Sequence, residues 1–328
     1  MKSSEKQLMQ SVRSNECGSS GKTELITATV MKKKKHKGNY SRKTPVPVGV
    51  RPAKSLGQNF LIDEEVISAI VEGSGVNEKT LVIEIGPGTG ALTLPLAEKA
   101  GRVVAVELDE RVIPGLRVKT FSLGNVEIIH DDILRIDLKE LIRRELDEYD
   151  LDEVRIVGNL PYYITTPIIM KLLESDTGAS SITVMMQKEV GDRIAAEPGT
   201  KLAGAITYSV HYYAEVTPIV SVGRECFYPA PKVDSVVLRL DIRDKRAVCV
   251  GDEKLFFSCI KAGFSQRRKT LLNSLMSLGG FEKSEIAEAL ESAGIDPGRR
   301  AESLSMEEFA RLSDALQGGM NCKTISKN

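Results

Sequence analysis

The sequence predicts a doubly wound α/β sheet followed by a small all-helical domain, and three patterns carry that reading. From about residue 52 to 240, short apolar runs alternate with amphipathic stretches, the pattern of parallel strands joined by helical crossovers. After about residue 245 the strand-like runs stop and only helical spacing remains. A glycine-rich turn, EIGPGTGALT (residues 84–93), leaves the first apolar run and opens a helix. In open α/β sheets such turns lie where ligands bind.

Taken in order, residues 1–50 are polar, contain KKKKHK (residues 32–37) and end in Pro45-x-Pro47. They cannot bury enough apolar surface to offset ordering entropy and are expected to be a disordered basic extension; Met31 is a second candidate start. Asp63 is a good N-cap for a helix carrying Val66, Ile67, Ile70 and Val71 on one face. TLVIEI, a helix from Ala91, RVVAVEL, a helix from Asp109, NVEII, a helix from Leu138, VRIV, a helix from Thr166 and SITVMM follow. A turn-rich stretch, FYPAPKVDS, leads into a strand over 235–240. FFSCIKAGF, LLNSLMSL, IAEALESAG and FARLSDAL then have helical spacing. The expected divisions are 1–50, 51–243 and 244–328.

The composition, 41% hydrophobic and 27% charged over 328 residues, is that of a soluble globular chain. No apolar stretch is long enough to span a membrane and no signal-peptide core is present. The five cysteines are scattered and never spaced C-x-x-C, and the three histidines stand apart. Neither a metal site nor a disulfide framework is indicated, and a reducing cytoplasm is expected. The net charge of zero hides an asymmetry: residues 1–50 hold 11 Lys+Arg against 3 Asp+Glu, leaving 34 against 42 in the remainder. Any nucleic-acid surface must therefore be a local patch on an acidic body.

In the glycine turn, Gly86, Gly88 and Gly90 allow a tight turn and close approach of a ligand to the backbone. Glu107 ends the second strand, where a carboxylate can accept hydrogen bonds from ribose hydroxyls. Asp132 follows the third strand, where it can accept from an adenine amine or simply serve a turn. These features fit NAD and S-adenosylmethionine equally. The fourth strand ends in NLPYY (residues 159–163). Leu160 is held extended by Pro161, which has no N–H to give to a ladder, so Asn159 and Tyr162 are rigidly placed. A hydride-transfer site would use a titrating side chain here. An amide instead orients a substrate such as the exocyclic amine of a nucleobase, with the Leu160 carbonyl as second acceptor and Tyr162 stacking on the base.

KSLGQNFL, EIGPGTGALT, VELD, NLPYYITTP, MMQKEVGDRI, FYPAPKVDS, GFSQRRKTLLNSL and GIDPGRRAESLS occur in that order. Together they resemble the motifs of the bacterial ribosomal small-subunit RNA adenine dimethyltransferases over about residues 51–316. The resemblance implies a Rossmann-like methyltransferase sheet with a helical RNA-contacting domain. It also implies N6,N6-dimethylation of two neighbouring adenines in a hairpin near the 3′ end of 16S rRNA in the immature small subunit. S-adenosylmethionine would be the donor and S-adenosylhomocysteine the product, without a metal; a cytoplasmic monomer is expected. Carried over by position, Asn59, Leu61, Gly86, Glu107, Asp132 and Asn159 bind the donor. Asn159, Leu160, Pro161 and Tyr162 act on the target amine, and Phe227 forms the second face of its pocket. Lys54, Arg267, Arg268, Lys269, Arg299 and Arg300 contact RNA. The basic extension departs from the family pattern.

Two other classes compete. An NAD-dependent oxidoreductase fits the glycine turn but finds no proton-transfer residue at the fourth strand. A non-catalytic RNA-binding assembly factor would have no need of Asn159 and Tyr162. The related methyltransferases that modify one adenine of 23S rRNA share most motifs, but YYITTP and GIDPGRRAE favour the small-subunit group.

Overall fold

The computed structural model describes residue 52 and residues 57–325. The basic extension and Lys54 lie outside the described residues. A two-residue strand β1 (Phe60–Leu61) and helix α1 (Glu64–Ser74) come first. Asp63 caps α1 as the sequence predicts, its carboxylate accepting from the Val66 N–H at 3.0 Å. The alternating region then runs β2 (Thr80–Ile85), α2 (Thr93–Lys99), β3 (Arg102–Glu107), α3 (Ile113–Thr120) and β4 (Val126–His130). It continues with α4 (Leu138–Glu148), β5 (Glu153–Asn159), α5 (Thr165–Glu174), β6 (Ser181–Gln187) and α6 (Lys188–Ile194). Next come α7 (Ala205–Tyr213), β7 (Ala214–Val222), a two-residue β8 (Phe227–Tyr228) and β9 (Ser235–Ile242).

Seven strands form one sheet in the order β4-β3-β2-β5-β6-β9-β7. Strands β2 to β6 are parallel, whereas β9 runs antiparallel to both β6 and β7. The chain reverses its direction of travel across the sheet between β2 and β5, and the crevice at such a reversal is where these sheets bind ligands. Alternate strand residues feed two apolar layers. Ile83, Val104 and Ile156 join one, while Val82, Val103 and Val157 face the other, which α1 and α2 cover.

Three differences from the sequence reading have local causes. Helix α2 begins at Thr93 instead of Ala91 because the glycine turn occupies the intervening residues, with Gly86, Gly88 and Gly90 all at positive φ. Helix α3 begins at Ile113 instead of Asp109, whose carboxylate instead accepts from the Arg111 backbone and guanidinium. The spacing predicts no strand at 214–222, yet β7 closes the sheet edge. It tolerates Pro218 because only one side pairs, and a bulge between Pro218 and Val220 absorbs the irregularity.

Beyond β9 the described chain is helical: α8 (Glu253–Gly263), α9 (Leu271–Leu275), α10 (Lys283–Ser292) and α11 (Met306–Ile325). Aromatic packing ties these helices to α7. Tyr208 meets Phe264 and Phe309 at ring distances of 5.3 and 5.1 Å, and Tyr212 meets Phe256 at 5.3 Å. No helix among the described residues is long and apolar enough to cross a membrane.

Candidate active site

An open cleft lies at the carboxyl ends of β2, β3 and β5. Its floor is the glycine turn. Gly86 sits at φ +68, a left-handed conformation that glycine adopts without strain, and its N–H donates to the Val106 carbonyl at 3.0 Å. Gly88, at φ +55, lies under the Phe60 ring, which a Cβ would meet at 3.2 Å. Glu107 is buried and already works for the protein: its carboxylate accepts from the Gly88 N–H at 2.9 Å and the Asp109 N–H at 2.8 Å. Burial pushes its pKa up and these backbone donors oppose the shift. Gln58 donates to the Asp109 carboxylate at 2.7 Å and so fastens the segment before β1 to this wall.

Beneath the turn lies Glu84. It follows Val82 by two residues and shares the strand face that α1 and α2 cover. Its side chain is 1% exposed, yet it lines the cleft. Its Oε2 and the buried Thr93 hydroxyl have no hydrogen-bond partner among the described residues. Burial pushes the Glu84 carboxyl up to about 8, and the Glu107 charge adds to it.

Asn159 reaches the cleft from the end of β5. Its Nδ2 donates to the Asn59 backbone carbonyl at 3.2 Å. A carbonyl only accepts, so this contact settles which way the amide points and leaves Oδ1 as the acceptor facing elsewhere. The Asn59 side chain itself donates to the Gly57 carbonyl at 3.1 Å. In the next turn, the Pro161 carbonyl is taken by the Ile164 N–H and the Thr165 hydroxyl, and no described hydrogen bond ends on the Leu160 carbonyl. The Tyr162 hydroxyl bonds Ser235 Oγ at 2.7 Å, fixing the ring, and burial raises its pKa.

The fold therefore brings Asn59, Leu61, Gly86, Glu107, Asn159, Leu160, Pro161 and Tyr162 into one cleft. Two other candidates are not among the residues that line it. Asp132 is half-buried and spends Oδ1 on the Leu134 N–H at 2.9 Å, closing a local turn. Phe227 is buried in the apolar layer over α1, because antiparallel pairing of β1 with β8 sets it opposite Leu61 and turns Tyr228 outward. The two basic loops of the helical region adjoin each other through the Leu271 N–H to the Arg299 carbonyl at 2.6 Å. Arg267, Arg268, Lys269 and Arg300 are exposed there. The Arg299 guanidinium is committed to Glu308 at 2.5 Å and to the Ser303 carbonyl.

Comparison with known proteins decides the family. Residues 50–318 match the model of a family described as ribosomal RNA adenine dimethylase. The chain belongs to that family. A ribosomal RNA small subunit methyltransferase A from Shouchella clausii is 52% identical to this chain over 265 residues, covering 80% of this chain and 89% of that one. One of the same name from Clostridioides difficile is 47% identical over 275 residues, covering 84% and 93%. Among solved structures, a 23S rRNA methyltransferase, ErmE, superposes with a TM-score of 0.60 at 27% identity, over 79% of this chain and 100% of that one. A dimethyladenosine transferase from Plasmodium falciparum has the same fold, with a TM-score of 0.64 at 24% identity, over 77% and 95%.

Glu84 and Leu108 are among the cleft residues that the sequence reading does not single out. Glu84 looked like part of a buried strand, and its only signal was a carboxylate inside an otherwise apolar run. Leu108, 48% exposed beside Glu107, is a cleft wall whose signal was an apolar residue placed directly after a strand-end acid.

Proposed function

We propose that this protein dimethylates the N6 amines of two adjacent adenosines in a hairpin near the 3′ end of 16S rRNA. The substrate is the immature small ribosomal subunit in the cytoplasm, and the protein acts as a monomer. S-adenosylmethionine, when bound, supplies a methyl group on a sulfonium centre and leaves as S-adenosylhomocysteine. The cleft fits such a donor chemically. The glycine turn leaves room against the backbone, Glu107 keeps lone pairs for ribose hydroxyls, and Leu108 offers an apolar wall to a purine. The Glu84 carboxyl, its Oε2 without a partner among the described residues, suits a cationic ligand group. Asn59 and Leu61 close the donor side, and Asp132 retains Oδ2 for the purine amine.

The observation that carries the reading is the orientation of the Asn159 amide. With Nδ2 tied to the Asn59 carbonyl, Oδ1 is the atom free to accept one hydrogen of the target amine. The Leu160 carbonyl, held extended by Pro161, accepts the other. Two acceptors on the amino hydrogens favour a pyramidal nitrogen whose lone pair is no longer delocalised into the ring. Tyr162 supplies the open stacking face for an adenine taken out of its helix, and Phe227 backs that pocket from the core. No protein base is needed, since the nitrogen becomes acidic once alkylated and can lose its proton to water.

Residues 51–243 carry the chemistry, while 244–328 place the RNA through phosphate contacts from Arg267, Arg268, Lys269 and Arg300, with Lys54 assisting. Arg299 holds the second basic loop in shape. The test is to incubate the protein with labelled S-adenosylmethionine and undermethylated small subunits, then map the product. Two adjacent dimethyladenosines near the 3′ end are expected. Label confined to other nucleotides, or none at all, would overturn the reading.

A further inference from the structure

Two of the motifs, MMQKEVGDRI and FYPAPKVDS, have no part in the chemistry above beyond Phe227 and Ser235, yet the fold brings them together. In the β6–β9 ladder Gln187 pairs with Ser235, and the Lys188 N–H donates to the Asp234 carbonyl at 2.9 Å. An open cleft there is lined by Gln187 to Glu189, Arg224 and Lys232 to Asp234. It starts one residue from Ser235, the partner of the Tyr162 hydroxyl, so it borders the wall of the target pocket.

Two of the acids around this cleft are held in ion pairs. Glu189 pairs with Arg193 at 2.8 Å, and Asp192 pairs with Lys188 at 2.6 Å. The Asp234 carboxylate accepts from the Arg224 N–H at 3.3 Å. The side chains of Arg224 and Lys232 are exposed and form no ion pair among the described residues. Two cations outside any ion pair, with Lys188 beside them and Asp234 the one lining carboxylate not in an ion pair among the described residues, therefore face solvent next to the pocket mouth, on a body whose net charge is otherwise acidic.

We propose that this cleft holds the RNA phosphate flanking the extruded adenosine, an inference that rests on the function proposed above. A nucleotide drawn out of its helix brings its own phosphates to the pocket mouth, and cations there fix the strand while leaving base identity to the pocket. Arg224 and Lys232 are positioning residues: they set where the nucleotide enters and do not touch the reacting atoms.

The test compares the full-length protein with Arg224→Ala/Lys232→Ala, with Lys232→Glu, and with the charge control Lys99→Ala at the far end of the sheet. KM for undermethylated small subunits, kcat, the salt dependence of KM and calorimetric S-adenosylmethionine binding are measured for each. Losing the contact to one phosphate of an unpaired strand lowers the log–log salt slope by about 0.7 and raises KM roughly tenfold at moderate salt. The loss falls on KM, not kcat, and donor affinity is kept. Lys232→Glu, a single exposed change, shows the same direction if the double variant does not fold. An unchanged KM and slope, a loss confined to kcat, or an equal per-charge effect in Lys99→Ala would overturn the assignment. A wild-type protein that methylates no adenine would instead overturn the functional reading, and this proposal with it.

Discussion

Replacing Glu84 by glutamine tests the floor of the cleft directly, because the change keeps the shape and removes the charge. In the folded protein burial holds this carboxyl at a pKa of about 8, against 4.5 for the exposed group. A folded pKa above the unfolded one means that stability is fully present below about pH 4.5 and is lost as pH rises toward 8. Across that window the unfolded chain has released a proton that the folded chain keeps, so the slope is negative, roughly 1.4 kcal/mol per pH unit from this group. Denaturant unfolding of the wild type and Glu84→Gln at pH 5.5, 6.5 and 7.5 should show the two curves diverging by on the order of 3 kcal/mol over two units, the variant gaining with pH. The same carboxyl should respond to the donor. A cationic group placed beside it favours the ionised form, so S-adenosylmethionine binding near pH 7 should release a proton in the wild type and none in Glu84→Gln. Calorimetry in two buffers of different ionisation enthalpy measures this. Parallel stability curves, or equal proton release in both proteins, would refute the reasoning.

Glu107→Ala should weaken S-adenosylmethionine binding by about 1.5–3 kcal/mol, the scale of hydrogen bonds to a charged group, as read by calorimetry. It should also lower the melting temperature, since the Gly88 and Asp109 N–H groups lose their acceptor. Asn159→Ala should lower the single-turnover methylation rate by roughly a hundredfold or more, the scale for removing one preorganised polar contact, with little change in RNA affinity by filter binding. Tyr162→Phe should remain largely active and lose only about 0.5–1.5 kcal/mol with the Ser235 bond, whereas Tyr162→Ala should lose turnover and weaken capture of the extruded base, which a 2-aminopurine fluorescence assay would follow. A chain starting at Arg51 should keep its turnover, because the family match begins at residue 50; a loss of the cooperative melt on this deletion would place the boundary elsewhere.

What could be read without coordinates was what neighbouring residues dictate to one another. The Asp63 cap, the glycine turn, the acid closing β3 and the rigid NLPY turn are all short-range effects, and period-two and period-3.6 patterns separate strands from helices wherever one face is buried. Those signals were enough for the sheet, its crossovers and the strand ends from which a site is built. Strand β7 was not readable, because an edge strand needs no alternation on its open side and its Pro218 counts against a strand until the single-sided pairing is known. Contacts between distant parts of the chain decided the rest. The direction of the Asn159 amide depends on a carbonyl 100 residues earlier. Phe227 turns inward because β8 pairs with β1, and the Arg299 charge is spent on Glu308. Glu84 has its raised pKa only because the sheet, α1 and α2 together exclude water from it. Each of these depends on which groups share a volume after folding, and no local spacing in the chain encodes that.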